Sequence, residues 1–116
     1  INTAMFPNAL IGSTPNALVA DKEEKLLFVA NADNNTVAVI NISEAEEHTV
    51  LGFIPTGWYP TSVRYNPADK SLYVANGKGM ISKANRGGPN PLVPGSRNLG
   101  EYIGQLFHGT LGITRL

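Results

Sequence analysis

Cysteine is absent from the 116-residue chain, which leaves neither a disulfide framework nor a thiolate site and keeps the redox compartment open. Charge is scarce as well: Asp, Glu, Lys and Arg make up 16% of the residues, against roughly 25% in an ordinary soluble domain. Nine basic and nine acidic side chains cancel. No strong field is therefore available to steer nucleic acid or an anionic membrane surface. No apolar run approaches the ~20 residues that cross a bilayer, so no membrane span is expected. The opening INTAMFPNALIG lacks a basic segment leading into an apolar one and shows no signal-peptide pattern, as a mature or trimmed chain would also do. Histidine occurs twice, at His48 and His108, each without a second ligand at metal spacing. No cofactor is implied, and no complete catalytic constellation is present.

Glycine and proline are plentiful, at twelve and eight residues, and sit mostly between short β-rich runs. The strongest signal is a repeat. Gly12–Asn31 laid on Gly57–Asn76, so that Pro15 meets Pro60, gives seven identities in twenty pairs. These are Gly12/Gly57, Pro15/Pro60, Lys25/Lys70, Leu27/Leu72, Val29/Val74, Ala30/Ala75 and Asn31/Asn76. About one is expected from ordinary composition. The correspondence stops after Asn76 and resumes where Gly109–Leu116 falls on Asn35–Ile42. The second copy thus carries an insertion between two strands that the first copy joins by a tight turn.

Residues 4–11 (AMFPNALI) read as a short strand interrupted by Pro7, which suits a sheet edge. Pro15 leads into a strand at Asn16–Val19. Leu26–Ala30 is a nearly continuous apolar run, as expected of a strand covered on both faces. Ala32–Asn35 is a turn, and Thr36–Ile42 and Thr49–Ile54 are further strands. In the second copy Thr61–Tyr65, Leu72–Ala75 and Gly109–Leu116 take the corresponding places. Four-stranded sheets repeated at this period are blades of a β-propeller. A β-sandwich of seven or eight strands suits the length equally, but gives no reason for Gly-x-x-Pro and Val-Ala-Asn to recur in register. The expected fold is all-β: two four-stranded antiparallel blades of an incomplete propeller, over 12–56 and 57–116. The second carries its insertion at 77–108 and lacks its outer strand, while 1–11 supply the outer strand of a preceding blade.

Phe28-Val29-Ala30-Asn31 and Tyr73-Val74-Ala75-Asn76, followed by Asn35-Thr36-Val37 and Val39-Ile40-Asn41, resemble the YVTN family of β-propeller repeats. The resemblance covers about 12–76 and 109–116. Two turns depart from the family's Pro-Asp-Gly: Asp21–Glu24 lacks both Pro and Gly, and Asn66–Asp69 lacks the Gly. A narrower likeness lies in Gly57-Trp58-Tyr59-Pro60-Thr61, Asn76-Gly77-Lys78-Gly79, Gly88-Pro89-Asn90 and Tyr102-Ile103-Gly104. Together these look like the N-terminal propeller of bacterial proteins in which a propeller precedes an alkaline phosphatase-like phosphoesterase domain. The resemblance implies a non-catalytic segment that binds or scaffolds within a larger exported or cell-surface bacterial protein. The enzyme alternative is an accessory propeller portion of a phosphoesterase, whose clustered Asp and His ligands for two metals are not in this chain.

Candidate contact residues are Trp58, Tyr59, Lys78, Arg86 and Arg97. Trp58 and Tyr59 stand at the start of an innermost strand, where propeller loops rim the central channel, and can stack on a ligand or anchor a partner. Their plainer role is packing between blades. Gly77-Lys78-Gly79 invites an anion-binding idea, but the P-loop spacing is missing and a turn opening the insertion suffices. Asp33-Asn34-Asn35 is half a calcium loop and reads better as a turn. Asn34-Asn35-Thr36 and Asn41-Ile42-Ser43 match the glycosylation acceptor within the repeat signature itself. Within the insertion, Lys83, Arg86 and Arg97 fall in a Gly/Pro/Ser-rich irregular part, and a long loop on a rigid scaffold is usually functional or disordered. Leu99, Tyr102, Ile103, Leu106 and Phe107 then share one helix face, with Asn98 and Glu101 as a capping box and Gly109 as the stop. A short helix over Leu99–Phe107 is expected.

Two blades cannot close a ring, since propellers need roughly four to eight. The partners implied are the remaining blades of a parent chain or other copies of this one. In the second case, one chain's N-terminal strand would complete another's second blade in a head-to-tail contact.

Overall fold

The computed structural model describes residues 1–116 except 7, 10, 11, 24, 82, 83, 91 and 94–100. Seven strands follow in order: β1 (Pro15–Ala20), β2 (Leu26–Asn31), β3 (Thr36–Asn41), β4 (Thr49–Pro55), β5 (Pro60–Asn66), β6 (Ser71–Asn76) and β7 (Thr110–Arg115). One helical turn, α1 (Ile103–Leu106), lies between β6 and β7. The strands form two antiparallel sheets, β1-β2-β3-β4 and β5-β6-β7, in which chain neighbours are also sheet neighbours. Acidic side chains close the β1–β2 and β5–β6 hairpins, whose turns contain no glycine. Asp21 Oδ1 accepts from the Lys25 and Leu26 amides (2.8 and 3.1 Å), while Asp69 Oδ1 accepts from Ser71 N (3.2 Å). Such local bonds let Asp and Asn hold a turn by themselves.

The echo in sequence is an echo in register. Pro15 pairs with Asn31 across a bulge at Pro15/Ala17, and Pro60 pairs with Asn76 across a bulge at Pro60/Ser62. Asn31 faces Thr36 and Leu26 faces Asn41; in the second sheet Asn76 faces Thr110 and Ser71 faces Arg115. Bonds beyond the strands repeat too. Ala32 N donates to Thr14 O (2.9 Å) and Gly77 N to Tyr59 O (2.8 Å); Ile42 N donates to Lys25 O (2.8 Å) and Leu116 N to Lys70 O (2.9 Å). Thr14 and Tyr59, both just before the proline, hold positive φ (47 and 59°). The insertion leaves the second ladder in the register of the first.

The two sheets meet through unlike faces. Phe28, Ala30 and Val37 of the first sheet share one core with Val63, Leu72 and Val74 of the second, and Phe28 stacks on Tyr65 with centroids 6.1 Å apart. By register, Val63, Leu72 and Val74 are the counterparts of Leu18, Leu27 and Val29, which lie on the other side of the first sheet. On that side Val29, Ala38 and Ile40 make a second cluster with Leu27, Ile42, Val50 and Phe53. Strand β5 runs against β1 and β2.

Two sequence expectations are corrected. Among the described residues of 4–11 there is no strand: Met5 and Phe6 form a bend, Asn8 a turn, and Ala9 N donates to Phe6 O (3.0 Å), while Pro7, Leu10 and Ile11 lie outside the described residues. Its described residues pair with neither sheet, and local turn geometry prevails over β propensity. The helix is one turn, Ile103–Leu106, rather than Leu99–Phe107; Asn98 and Leu99 lie outside the described residues. Tyr102 occupies the N-cap without a side-chain bond, and Phe107 is already extended (φ −86°, ψ 113°). The Glu101 carboxylate, expected in a capping box, accepts instead from the Gly87 amide (2.5 Å). A single turn gains little from propagation, so tertiary contacts set its length.

Candidate functional site

The start of the second sheet is built by two backbone segments laid side by side. Trp58 N donates to Gly79 O (2.6 Å), Lys78 N to Trp58 O (3.1 Å) and Gly77 N to Tyr59 O (2.8 Å). Gly57 and Gly79 make that approach possible. A Cβ on Gly57 would stand 2.6 Å from the Gly79 carbonyl oxygen and 2.8 Å from the Asn76 side chain. Gly79 has φ +71°, and a Cβ there would run into the His108 carbonyl. Glycine removes both clashes and supplies the left-handed backbone.

Tyr59 is held in its unusual conformation from two sides. Its amide donates to Asn35 Oδ1 (2.8 Å), across from the first sheet, and its carbonyl accepts from Gly77. The Asn35 backbone oxygen also accepts from Thr56 N (2.9 Å). A bulky residue at positive φ persists only where its surroundings over-determine it. Here they fix the ring, and Lys78 Nζ lies over it at 4.4 Å from the centroid. The same ammonium sits 5.9 Å from the Phe107 centroid, so it is flanked by two aromatic faces within cation–π reach. The one ion pair among the described residues joins Lys25 and Glu23 (3.1 Å), far from this cluster in sequence and at an exposed hairpin.

Of the residues singled out by sequence, the structure brings Trp58, Tyr59 and Lys78 together. Trp58 is 42% exposed, so its ring is not closed off between the sheets. Arg86 is exposed in a turn of the insertion, and Arg97 lies outside the described residues. Gly77-Lys78-Gly79 is a turn, as is Ala32–Asn35, where Asn35 takes φ 53°. Two contributors were not singled out. Its place on the apolar helix face predicts packing for Phe107, yet it is 41% exposed and faces Lys78. Asn35 reads from the sequence as a turn residue inside the repeat signature, with no sign of a contact to Tyr59. Its sequence signal was the turn; the bond to Tyr59 spans 24 positions and leaves no local trace.

Beside this cluster, Pro55, Gly57, Asn76, Met80 and Thr110 line a cleft that continues along β7. Asn76 is buried; its Nδ2 donates to Thr110 Oγ1 (3.3 Å), but Oδ1 finds no partner. Its counterpart Asn31 is served on both atoms by Thr3, whose hydroxyl donates to Oδ1 (3.3 Å) and whose carbonyl accepts from Nδ2 (3.2 Å). No group of three His, Cys, Asp or Glu side chains that could hold a metal occurs among the described residues. No helix of the described residues is long and apolar enough to cross a membrane.

Comparison of the chain with protein-family models, with curated proteins and with solved structures gives no match.

Proposed function

We propose that the chain is a binding or scaffolding module made of propeller-type repeats, whose contact surface is the Trp58–Tyr59–Lys78–Phe107 cluster. The single observation that carries this reading is the repeated ladder: two sheets of equal register, stacked by unlike faces, as successive blades around an axis would be. The YVTN resemblance of Tyr73–Asn76 and Phe28–Asn31 points the same way, and with it a place in an exported or surface protein. Strand regularity supplies the rigid part; the insertion after Asn76 supplies the variable part. A cation held over two ring faces, next to an exposed indole, suits an anionic group on a partner better than a reacting bond.

The test replaces residues 77–109 by Ala-Asp-Asn-Asn, the turn that joins β2 to β3. The chain with the short turn is expected to keep its β circular dichroism, because β6 and β7 already share the register of β2 and β3. Amide resonances of the unaltered chain are followed during addition of oligoglutamate, with oligoserine as control. Trp58, Tyr59 and Lys78 are expected to shift with the acidic peptide only; in Lys78→Gln and in the short-turn chain, which lacks residue 78, Trp58 and Tyr59 are expected to stay still. Equal shifts in Lys78→Gln, or none in the unaltered chain, would sink the assigned contact surface. Unfolding of the short-turn chain would remove the scaffold reading.

A further inference from the structure

Register gives residues of the second sheet counterparts in the first, and the counterparts meet opposite fates. Val63 is fully buried between the sheets, whereas its counterpart Leu18 is 63% exposed. Val37 is fully buried, whereas its counterpart Leu111 is 63% exposed; beside it Ile113, the counterpart of Val39, is 60% exposed. The second sheet leaves Leu111 and Ile113 bare, whereas on the outer face of the first Val29, Ala38 and Ile40 are buried among Leu27, Val50 and Phe53 and Leu18 is the part left exposed.

We infer that the Tyr73–Leu111–Ile113 face of one copy binds the Leu18–Leu27–Phe53 face of a second copy, repeating between chains the sheet stacking found within one. This rests on the repeat reading proposed above. The occupant is identified by the molecule's own interface. A surface laid out as Leu18, Leu27 and Val29 is already seen to fit one laid out as Phe28, Ala30 and Val37, in the form of Val63, Leu72 and Val74. Tyr73, Ala75 and Leu111 are the second sheet's version of Phe28, Ala30 and Val37. The contact is heterologous: the two surfaces differ, so a pair of chains still has one bare face at each end, and addition continues until a ring closes. Leu111 and Ile113 side by side, bordered by Arg64 on the edge strand β5 and Arg115 at the end of β7, have the apolar centre and charged rim of an interface. Nine positive and nine negative side chains leave no net charge to hold copies apart. The contact uses strand faces. It does not require residues 4–11 as a strand, which the structure does not show among those described.

The test uses light scattering on size-exclusion fractions of the 116-residue chain and two surface variants, Leu18→Glu and the double variant Leu111→Glu/Ile113→Glu. All three positions are exposed, so both variants are expected to keep the native circular dichroism. The unaltered chain is expected to give species heavier than its 12.4 kDa monomer, growing with concentration. Each variant alone is expected to be monomeric, since each has lost one of the two surfaces. Mixed in equal amounts, they are expected to form a dimer and nothing larger, because one good surface remains on each partner. A monomeric unaltered chain, a variant that still self-associates, or a mixture that stays monomeric each overturns the inference. Amide exchange separates this failure from the failure of the repeat reading. Protected Val37 and Val63 amides in a monomeric chain leave the internal stacking standing and remove only the contact between copies; unprotected ones remove both.

Discussion

At the scale of single residues, the site depends on places where a side chain must be missing. Gly57 admits the Gly79 carbonyl and the buried Asn76 amide, and Trp58 and Tyr59 take their positions from that contact. Gly57→Ala is expected to destabilise the chain by about 1–3 kcal/mol, the range for forcing an extra methyl into a packed site. Gly52→Ala is the control, since nothing lies within 4 Å of a Cβ there. Urea denaturation reads both: the Gly57 variant should lower the midpoint with the slope unchanged, and the Gly52 variant should stay within about 0.5 kcal/mol. Asn35 shows the complementary device. One amide side chain in a turn of the first sheet fixes the backbone at the start of the second.

At the scale of elements, identical positions in the two ladders do different work because their surroundings differ. Phe28 sits at the centre of the shared core, stacked on Tyr65, with no exposed surface. Phe28→Ala is expected to cost about 3–5 kcal/mol, the usual range for emptying a buried ring. Leu111→Ala, made in the monomeric Leu18→Glu chain where the outward face of β7 is bare, is expected to stay within about 0.5 kcal/mol. Chemical denaturation of the two variants decides whether the unlike-face stacking is real; equal losses would contradict it. The residues on both faces of β2 and β3 are apolar, so alternation alone could not say which face would be covered. The short α1 makes a related point. Its apolar spacing was legible, but its length was fixed by what Glu101 and Phe107 bond and face elsewhere.

At the scale of the whole molecule, the radius of gyration is 17.5 Å, against about 13 Å for a compact domain of this length. The chain is thus not rounded around one centre; it is two leaning sheets, the second with its Leu111–Ile113 face left bare. Stability should be uneven in consequence. Strand β3 lies between β2 and β4, with a cluster on each side, whereas β7 is paired on one edge only among the described residues. In the monomeric Leu18→Glu chain, hydrogen exchange is expected to show Val37 to Ile40 as the slowest amides and Leu111 to Ile113 as markedly faster. In the associating unaltered chain the difference is expected to narrow as the second sheet is covered; comparable protection of both strands in the monomeric variant would contradict the uneven stability.

The sequence by itself marked the seven strands and their order, along with an eighth at 4–11 that the described residues do not form. Val-Ala-Asn, the turn residues and the two-residue alternation act locally, and the same letters therefore gave the same register twice. It also marked Trp58, Tyr59 and Lys78 for attention. Tertiary structure alone decided which face of each sheet is buried, and that Asn35 and Phe107 join the cluster. It also decided that residues 4–6, 8 and 9 do not extend as a strand. Those outcomes turn on contacts between segments far apart in the chain, and an apolar side chain has no means of recording in its own neighbourhood which distant surface it will meet.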